Sequence, residues 1–247
     1  MMAGVAGTEV TFSTSTWQQP IPAPAGAARV AVLERIVDLV VDLGDGRLRI
    51  VVDGRTAAGK TSIGHELALG IAARGRPAFR ASLDDFKRPW SEAHRYDRVT
   101  GEGYYRNAFD FDSVRRLLLD PAAPSGTGVV ALCSIDPITQ QDHSNQTVVM
   151  PEDGVLVMDG VFGCRPELGD VWDLRIWVEI DPERSVRRGI ARDADREGGP
   201  EAAEALHRGR YLAAEVLYLE EVDPVSFVEV VIDNSDFELP RLLRVQD

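Results

Sequence analysis

From residue 28 onward the chain alternates short apolar runs with amphipathic stretches. Residues 48–52, 154–158, 174–180 and 227–232 are largely apolar and rich in β-branched residues, as strands buried on both faces must be. Shorter runs at 77–83 and 129–134 read as further strands, and 147–150 as a short extended piece. Between them the spacing is helical. Val30, Leu33, Ile36, Val37, Leu39 and Val40 mark a helix over 28–43 that the Gly44-Asp45-Gly46 turn ends. Ile63, Leu67 and Ile71, with Ala68 and Ala72 beside them, mark a second to about residue 74, stopped by Gly75 and Pro77. Val114, Leu117 and Leu118 face inward on a third over 110–119, which Asp120-Pro121 ends. Asp181-Pro182-Glu183 opens a fourth. The Gly198-Gly199-Pro200 break follows, and 201–221 reads as one long helix. Strands alternating with helices predict an α/β fold, with a mostly parallel sheet covered on both faces.

Two segments carry no period. Residues 1–27 are small, polar and Pro-rich and read as a flexible arm, with a short strand near 10–14 its one candidate element. Residues 88–107 hold many charges and aromatics and read as a long loop, of a length that is usually functional or disordered. Their aromatic and arginine content favours function. The expected organisation is the arm followed by one domain over 28–247, with an acceptor insertion near 85–107 and a lid near 188–208.

Composition narrows the class. At 247 residues, 44% hydrophobic and 27% charged, the chain has the make-up of a globular protein. A net charge of −13 argues against nucleic acid as a partner. No run approaches a membrane span, and no signal peptide is visible, so the cytoplasm is the expected location. Cys133 and Cys164 form no metal or disulfide pattern.

The chemistry begins where the first buried strand ends. Gly54, Arg55, Thr56, Ala57, Ala58, Gly59, Lys60 and Thr61 fit G-x-x-x-x-G-K-[ST], the Walker A phosphate-binding loop. The glycines allow positive φ and close approach of a ligand, and the loop amides and the following helix N-terminus receive phosphate oxygens. With Ser62 these residues are the expected site for ATP or GTP. Lys60 would reach the β- and γ-phosphates and Thr61 would ligate Mg²⁺. Asp159 closes the apolar strand 154–158, where such folds hold Mg²⁺ directly or through water; a plain turn before Gly160 is the alternative. Asp84 follows the strand 77–83 and would take the proton of an attacking hydroxyl, or else cap a turn. Asp84 is preferred over Asp85 only modestly. Arg184, Arg188 and Arg192 share one helix face, suited to the charge of a transferring phosphoryl group or to a solvated face paired with Asp181, Glu183 and Asp193. His65 reads as structural or surface. His94, His143 and His207 have no partners at metal-ligand spacing.

The order GRTAAGKTS, SLDDFKRP, YYRNAFDFD, VLVMDGVF and an Arg-rich helix resembles the uridine kinase-like branch of the P-loop kinases, over about residues 48–235. The branch includes relatives acting on nicotinamide riboside, pantothenate and phosphoribulose. The resemblance implies a nucleotide-kinase fold with a five-stranded parallel core and a mobile lid. It implies Asp84 as general base near Mg²⁺, with Lys60, Arg188 and Arg192 beside it. A family lid arginine falls on Arg192 and its neighbour on Gly189, so Arg188 would substitute. Lys87, Tyr104, Tyr105 and Arg106 are the expected acceptor contacts, Tyr104 falling where the family has its ribose-binding Asp. The family's Y-D-F-x-x-H reads Ile135-Asp136-Pro137-Ile138-Thr139-Gln140, without its Tyr, Phe and His. The expectation is a kinase of a small hydroxyl acceptor, a nucleoside first, with nicotinamide riboside, pantothenate or a sugar phosphate as alternatives. A non-kinase ATP-binding protein is the other reading, and a homo-oligomer is left open. A GTPase switch is disfavoured because N-K-x-D is missing and no D-x-x-G follows the strand that ends at Asp159.

Overall fold

The computed structural model describes residues 9–17 and 26–246. Its elements in chain order are β1 (Val10–Phe12), α1 (Ala27–Asp42), β2 (Leu48–Gly54), α2 (Lys60–Ala73), β3 (Ala78–Ser82), α3 (Gly101–Asn107), α4 (Phe111–Val114), β4 (Val129–Val130), β5 (Val148–Val149), β6 (Val155–Asp159), β7 (Leu174–Glu179), α5 (Pro182–Glu197), α6 (Pro200–Leu206), α7 (Ala213–Glu221), β8 (Val230–Asp233) and β9 (Arg241–Val245). The main sheet runs β1-β3-β6-β2-β7-β8-β9. Its five central strands are parallel, as the family resemblance implies, and β1 adds a sixth parallel strand at one edge. Antiparallel β9 closes the other edge.

Side chains alternate across this sheet with the strand period of two. Ile50, Val52, Val157 and Ile176 pack with Ile36, Val40, Ile63 and Leu67 of α1 and α2. Val51, Met158 and Trp177 face the second core, with Phe109, Phe162 and Tyr218. Burial on both faces explains why the central strands read as continuous apolar runs.

Several elements differ from their sequence expectations. The arm is not without structure where it is described: Val10–Phe12 pair with Ala78–Arg80, and Ser13 N–H donates to the Arg80 carbonyl at 3.0 Å. Residues 1–8 and 18–25 lie outside the described residues. The run 129–134 contributes only Val129 and Val130, which pair antiparallel with Val148 and Val149 off the main sheet. Segment 88–107 is not wholly a loop. Thr100 caps α3 by accepting the Gly103 N–H at 3.0 Å, and Gly101 and Gly103 sit where a Cβ would meet Ala213 and Asp97. Gly101 and Gly103 are buried along with Tyr104 and Tyr105, so no regular apolar period marks this helix. The helix over 110–119 is α4 continued by a π turn, Arg115–Leu119. The long helix over 201–221 is three pieces, with a π turn at His207–Leu212 between α6 and α7. The last parallel strand starts at Val230, and β9 was not anticipated.

Candidate active site at the carboxyl ends of the strands

The carboxyl ends of β3, β6 and β2, neighbours in the sheet, open on one cavity of about 930 Å³. Open α/β sheets bind ligands at this edge, where loop amides and helix N-termini are exposed.

The loop between β2 and α2 is fixed by its two glycines. Gly54 has φ 148° and lies so close to β7 that a Cβ would sit 2.5 Å from the Val178 carbonyl oxygen. Gly59 has φ 97° and leaves the same 2.5 Å to Asn234 Nδ2. Residues remote in sequence brace the loop. Asn234 donates to the Ala58 carbonyl at 2.6 Å and accepts from the buried Arg29 at 3.1 Å. Glu215 of α7 accepts the Thr56 N–H at 2.6 Å and pairs with Arg55 at 3.4 Å. Asp53 is buried and accepts from the Gly54 and Cys164 amides and the Tyr218 hydroxyl. Burial pushes the Asp53 carboxyl up against those hydrogen bonds.

Thr56, Ala57, Gly59, Lys60, Thr61 and Ser62 line the cavity, whereas Gly54, Arg55 and Ala58 shape the loop from outside it. Lys60 Nζ donates to the carbonyls of Gly54 at 3.0 Å and Arg55 at 2.6 Å. Burial draws the lysine pKa down, opposed by Asp53, Glu215, Asp159 and Asp84.

At the foot of α2, Thr61 Oγ1 donates to Asp159 Oδ2 at 2.6 Å. The other Asp159 oxygen accepts from Arg80 at 2.7 Å, with both side chains 3% exposed. Among the described residues no group of three or more His, Cys, Asp and Glu is placed to hold a metal ion. A hydroxyl with one or two carboxylates still fits Mg²⁺, which takes few protein oxygens and fills its shell with phosphate and water.

Asp84 and Asp85 follow β3 and part company. Asp84 lines the cavity; Lys87 pairs with it at 2.6 Å and the Trp17 indole N–H donates to it at 3.3 Å. Burial pushes its carboxyl up, but Lys87, Lys60 and Arg192 outweigh that and hold it below its ordinary value. Asp85 turns inward and accepts from the Ser13 hydroxyl at 2.7 Å. Arg188, Arg192 and Arg196 also line the cavity. Arg188 donates to the Asn234 and Ser235 carbonyls, and Arg192 grips Asp193 through two bonds at 2.8 and 2.9 Å.

Of the expected acceptor contacts, Lys87 and Tyr104 line the cavity and Tyr105 and Arg106 do not. Tyr105 is 1% exposed and packs edge-on against Phe162, because α3 turns successive side chains to different faces. Arg106 points out of the site and pairs with Glu221. The sequence reading missed Trp17, Tyr96, Arg98, Arg210 and Tyr211 on the cavity wall, and Arg80 and Glu215 behind it. Only the aromatic and arginine content of 88–107 pointed to any of them.

No family model matches the chain. A uridine kinase from Halobacterium salinarum is 27% identical over 196 residues, spanning 78% of this chain and 79% of the relative. A possible uridine kinase from Bacillus stearothermophilus superposes with TM-score 0.62 at 21% identity, over 82% of this chain and 96% of that one. The chain is thus similar to uridine kinases over most of its length, and its fold is that of the P-loop kinases. It also superposes on a candidate fructose transport system kinase from Silicibacter, with TM-score 0.56 at 21% identity, over 78% of this chain and 94% of that one. The shared fold therefore does not name the acceptor.

Proposed function

We propose that the chain transfers the γ-phosphoryl group of ATP or GTP to a hydroxyl of a small, nucleoside-type acceptor. One observation carries the reading: Lys60, Thr61, Asp159 and Asp84 line a single cavity with Arg188 and Arg192. Loop amides and Lys60 bind the donor phosphates, and Thr61 and Asp159 would hold Mg²⁺, which when bound neutralises charge on the phosphates. Asp84 accepts the proton as the acceptor oxygen bonds to the γ-phosphorus and the bond to the β-phosphate oxygen breaks. The products are a phosphate monoester and the nucleoside diphosphate. Arg192 and Arg188 oppose charge on the transferring oxygens. Across the cavity, Trp17, Trp90, Tyr96, Tyr104 and Tyr211 offer ring faces for a flat base.

The test is ADP formation from Mg-ATP against uridine, cytidine, adenosine, nicotinamide riboside, pantothenate and ribulose 5-phosphate. Release dependent on one compound supports the kinase and names its acceptor. ATP binding without acceptor-dependent release from a broad panel would sink it.

A further inference from the structure

The acceptor wall carries charge that the chain does not neutralise. Arg98 and Arg210 both line the cavity. Arg98 donates to the Arg88 carbonyl at 2.6 Å, and Arg210 lies over the rings of Tyr104 at 4.5 Å and Tyr211 at 5.4 Å. The Arg210 Nε is buried with no hydrogen-bond partner. Neither arginine reaches a carboxylate within ion-pair distance among the described residues. The Asp97 carboxylate bonds the Thr100 hydroxyl and the Val99 amide and meets Arg210 only at a distance, as Glu92 meets Arg98. Burial lowers the Arg98 pKa, and Arg210 lowers it further, as neighbouring like charges do.

The chain has 40 acidic against 27 basic residues, and several of its arginines find a carboxylate, Arg29 with Glu66, Arg55 with Glu215, Arg80 with Asp159 and Arg175 with Glu229, whereas Arg98 and Arg210 do not. Two guanidiniums left side by side on a cavity wall repel each other unless a ligand brings the opposite charge. The donor phosphates already have the loop amides, Lys60, Arg188 and Arg192.

Resting on the kinase reading, we propose that Arg98 and Arg210 form an anion subsite, so that the acceptor is a hydroxyl compound carrying a carboxylate or a phosphate. Guanidinium forks suit both groups. Tyr104 and Tyr211 flank the subsite and Asp84 faces the hydroxyl. A compound with a cationic ring is thereby disfavoured.

Matched pairs test this under saturating Mg-ATP: uridine with orotidine, pantetheine with pantothenate, ribulose with ribulose 5-phosphate. The charged member of one pair should show kcat/KM about tenfold or more above its neutral twin, and that pair tells carboxylate from phosphate. Arg98→Gln and Arg210→Gln should each raise the KM for that compound about tenfold and leave the KM for ATP within about twofold. Arg210→Lys, which keeps the charge, should recover much of the loss, and retained ATP affinity certifies folding. Neutral twins used as well as charged ones would overturn the subsite alone. Variants that raise the KM for ATP instead would assign these arginines to the donor and also overturn it. If ATP binds and no charged member of any pair is phosphorylated, the subsite falls, and the kinase reading falls with it only if the broad panel also gives no acceptor-dependent release.

Discussion

Asp84 is the residue on which the proposed chemistry turns. Lys87 holds one of its oxygens and the Trp17 indole the other, so the carboxylate is both ionised and aimed. Asp84→Asn keeps the shape and removes the proton acceptor. Turnover should fall by about 10²- to 10⁴-fold with ATP affinity nearly unchanged, read by steady-state kinetics and nucleotide titration. Lost ATP affinity would make the residue a metal or structural element instead. Trp17 acts on the same carboxylate from a segment whose composition reads as a loose arm, with Arg196 5.0 Å from its ring. Trp17→Phe keeps a ring and deletes the N–H. Acceptor-dependent kcat should fall about three- to tenfold while the KM for ATP holds. An unchanged kcat would reduce the indole to a cover over the site.

At the scale of elements, the phosphate loop and the N-terminal strand obey the same logic: each is held by groups distant in sequence. Gly59→Ala would strain φ 97° and press a methyl onto Asn234, so ATP affinity should drop about tenfold or more in a nucleotide titration. An unaffected titration would mean that Asn234 moves aside freely. The N-terminal strand leads to Ser13 and Ser15 above Asp85, whose carboxyl burial pushes up to about 7, against hydrogen bonds from those serines. Between pH 5 and pH 7 the unfolded chain has lost this proton and the folded chain keeps it, so folding loses stability as pH rises. Asp85→Asn escapes that loss. Urea unfolding should show the variant gaining about 2–3 kcal/mol on the native chain between pH 5 and pH 8; parallel curves would place an ionised Asp85 in the fold. These details also mark the limit of what residue patterns reveal. The buried strands, α1, α2 and the loop at Gly54–Thr61 were legible because each obeys a local period or motif. The α3 helix was not, since Gly101 and Gly103 interrupt the apolar stripe, and β1 was legible only as a candidate strand near 10–14, since three residues carry too little pattern to place it in the sheet. Arg98, Arg210 and Trp17 meet Asp84 and Tyr104 only through the fold.

On the scale of the whole molecule, a sheet carries the donor loop and a two-helix cover carries arginines over it. Gly198, with φ 88°, and Gly199, with φ 127°, let α5 turn back into α6. Inside the cover, the buried Asp193 accepts from Arg192 and bonds the His207 imidazole at 2.9 Å, with Arg196 at 3.1 Å. Burial pushes that carboxyl up, yet His207, Arg192 and Arg196 hold it well below the usual range. The position where the uridine kinase resemblance places a second lid arginine is Gly189, and His207 explains the difference. A Cβ on Gly189 would lie 2.1 Å from the imidazole Cε1. Gly189 thus leaves room for His207, and Arg188, held by the Asn234 and Ser235 carbonyls, is the cavity-lining guanidinium next to it. Two variants separate anchoring from charge. Asp193→Asn replaces no cavity-lining residue but loosens Arg192, Arg196 and His207 together, so kcat should fall about tenfold or more with a lower Tm. Gly189→Arg puts the missing charge back where there is no room for it. It should displace His207 and lower kcat despite the added guanidinium, and a rise in kcat above the native value would show that the cover yields and that charge, not the His207 seat, limits transfer.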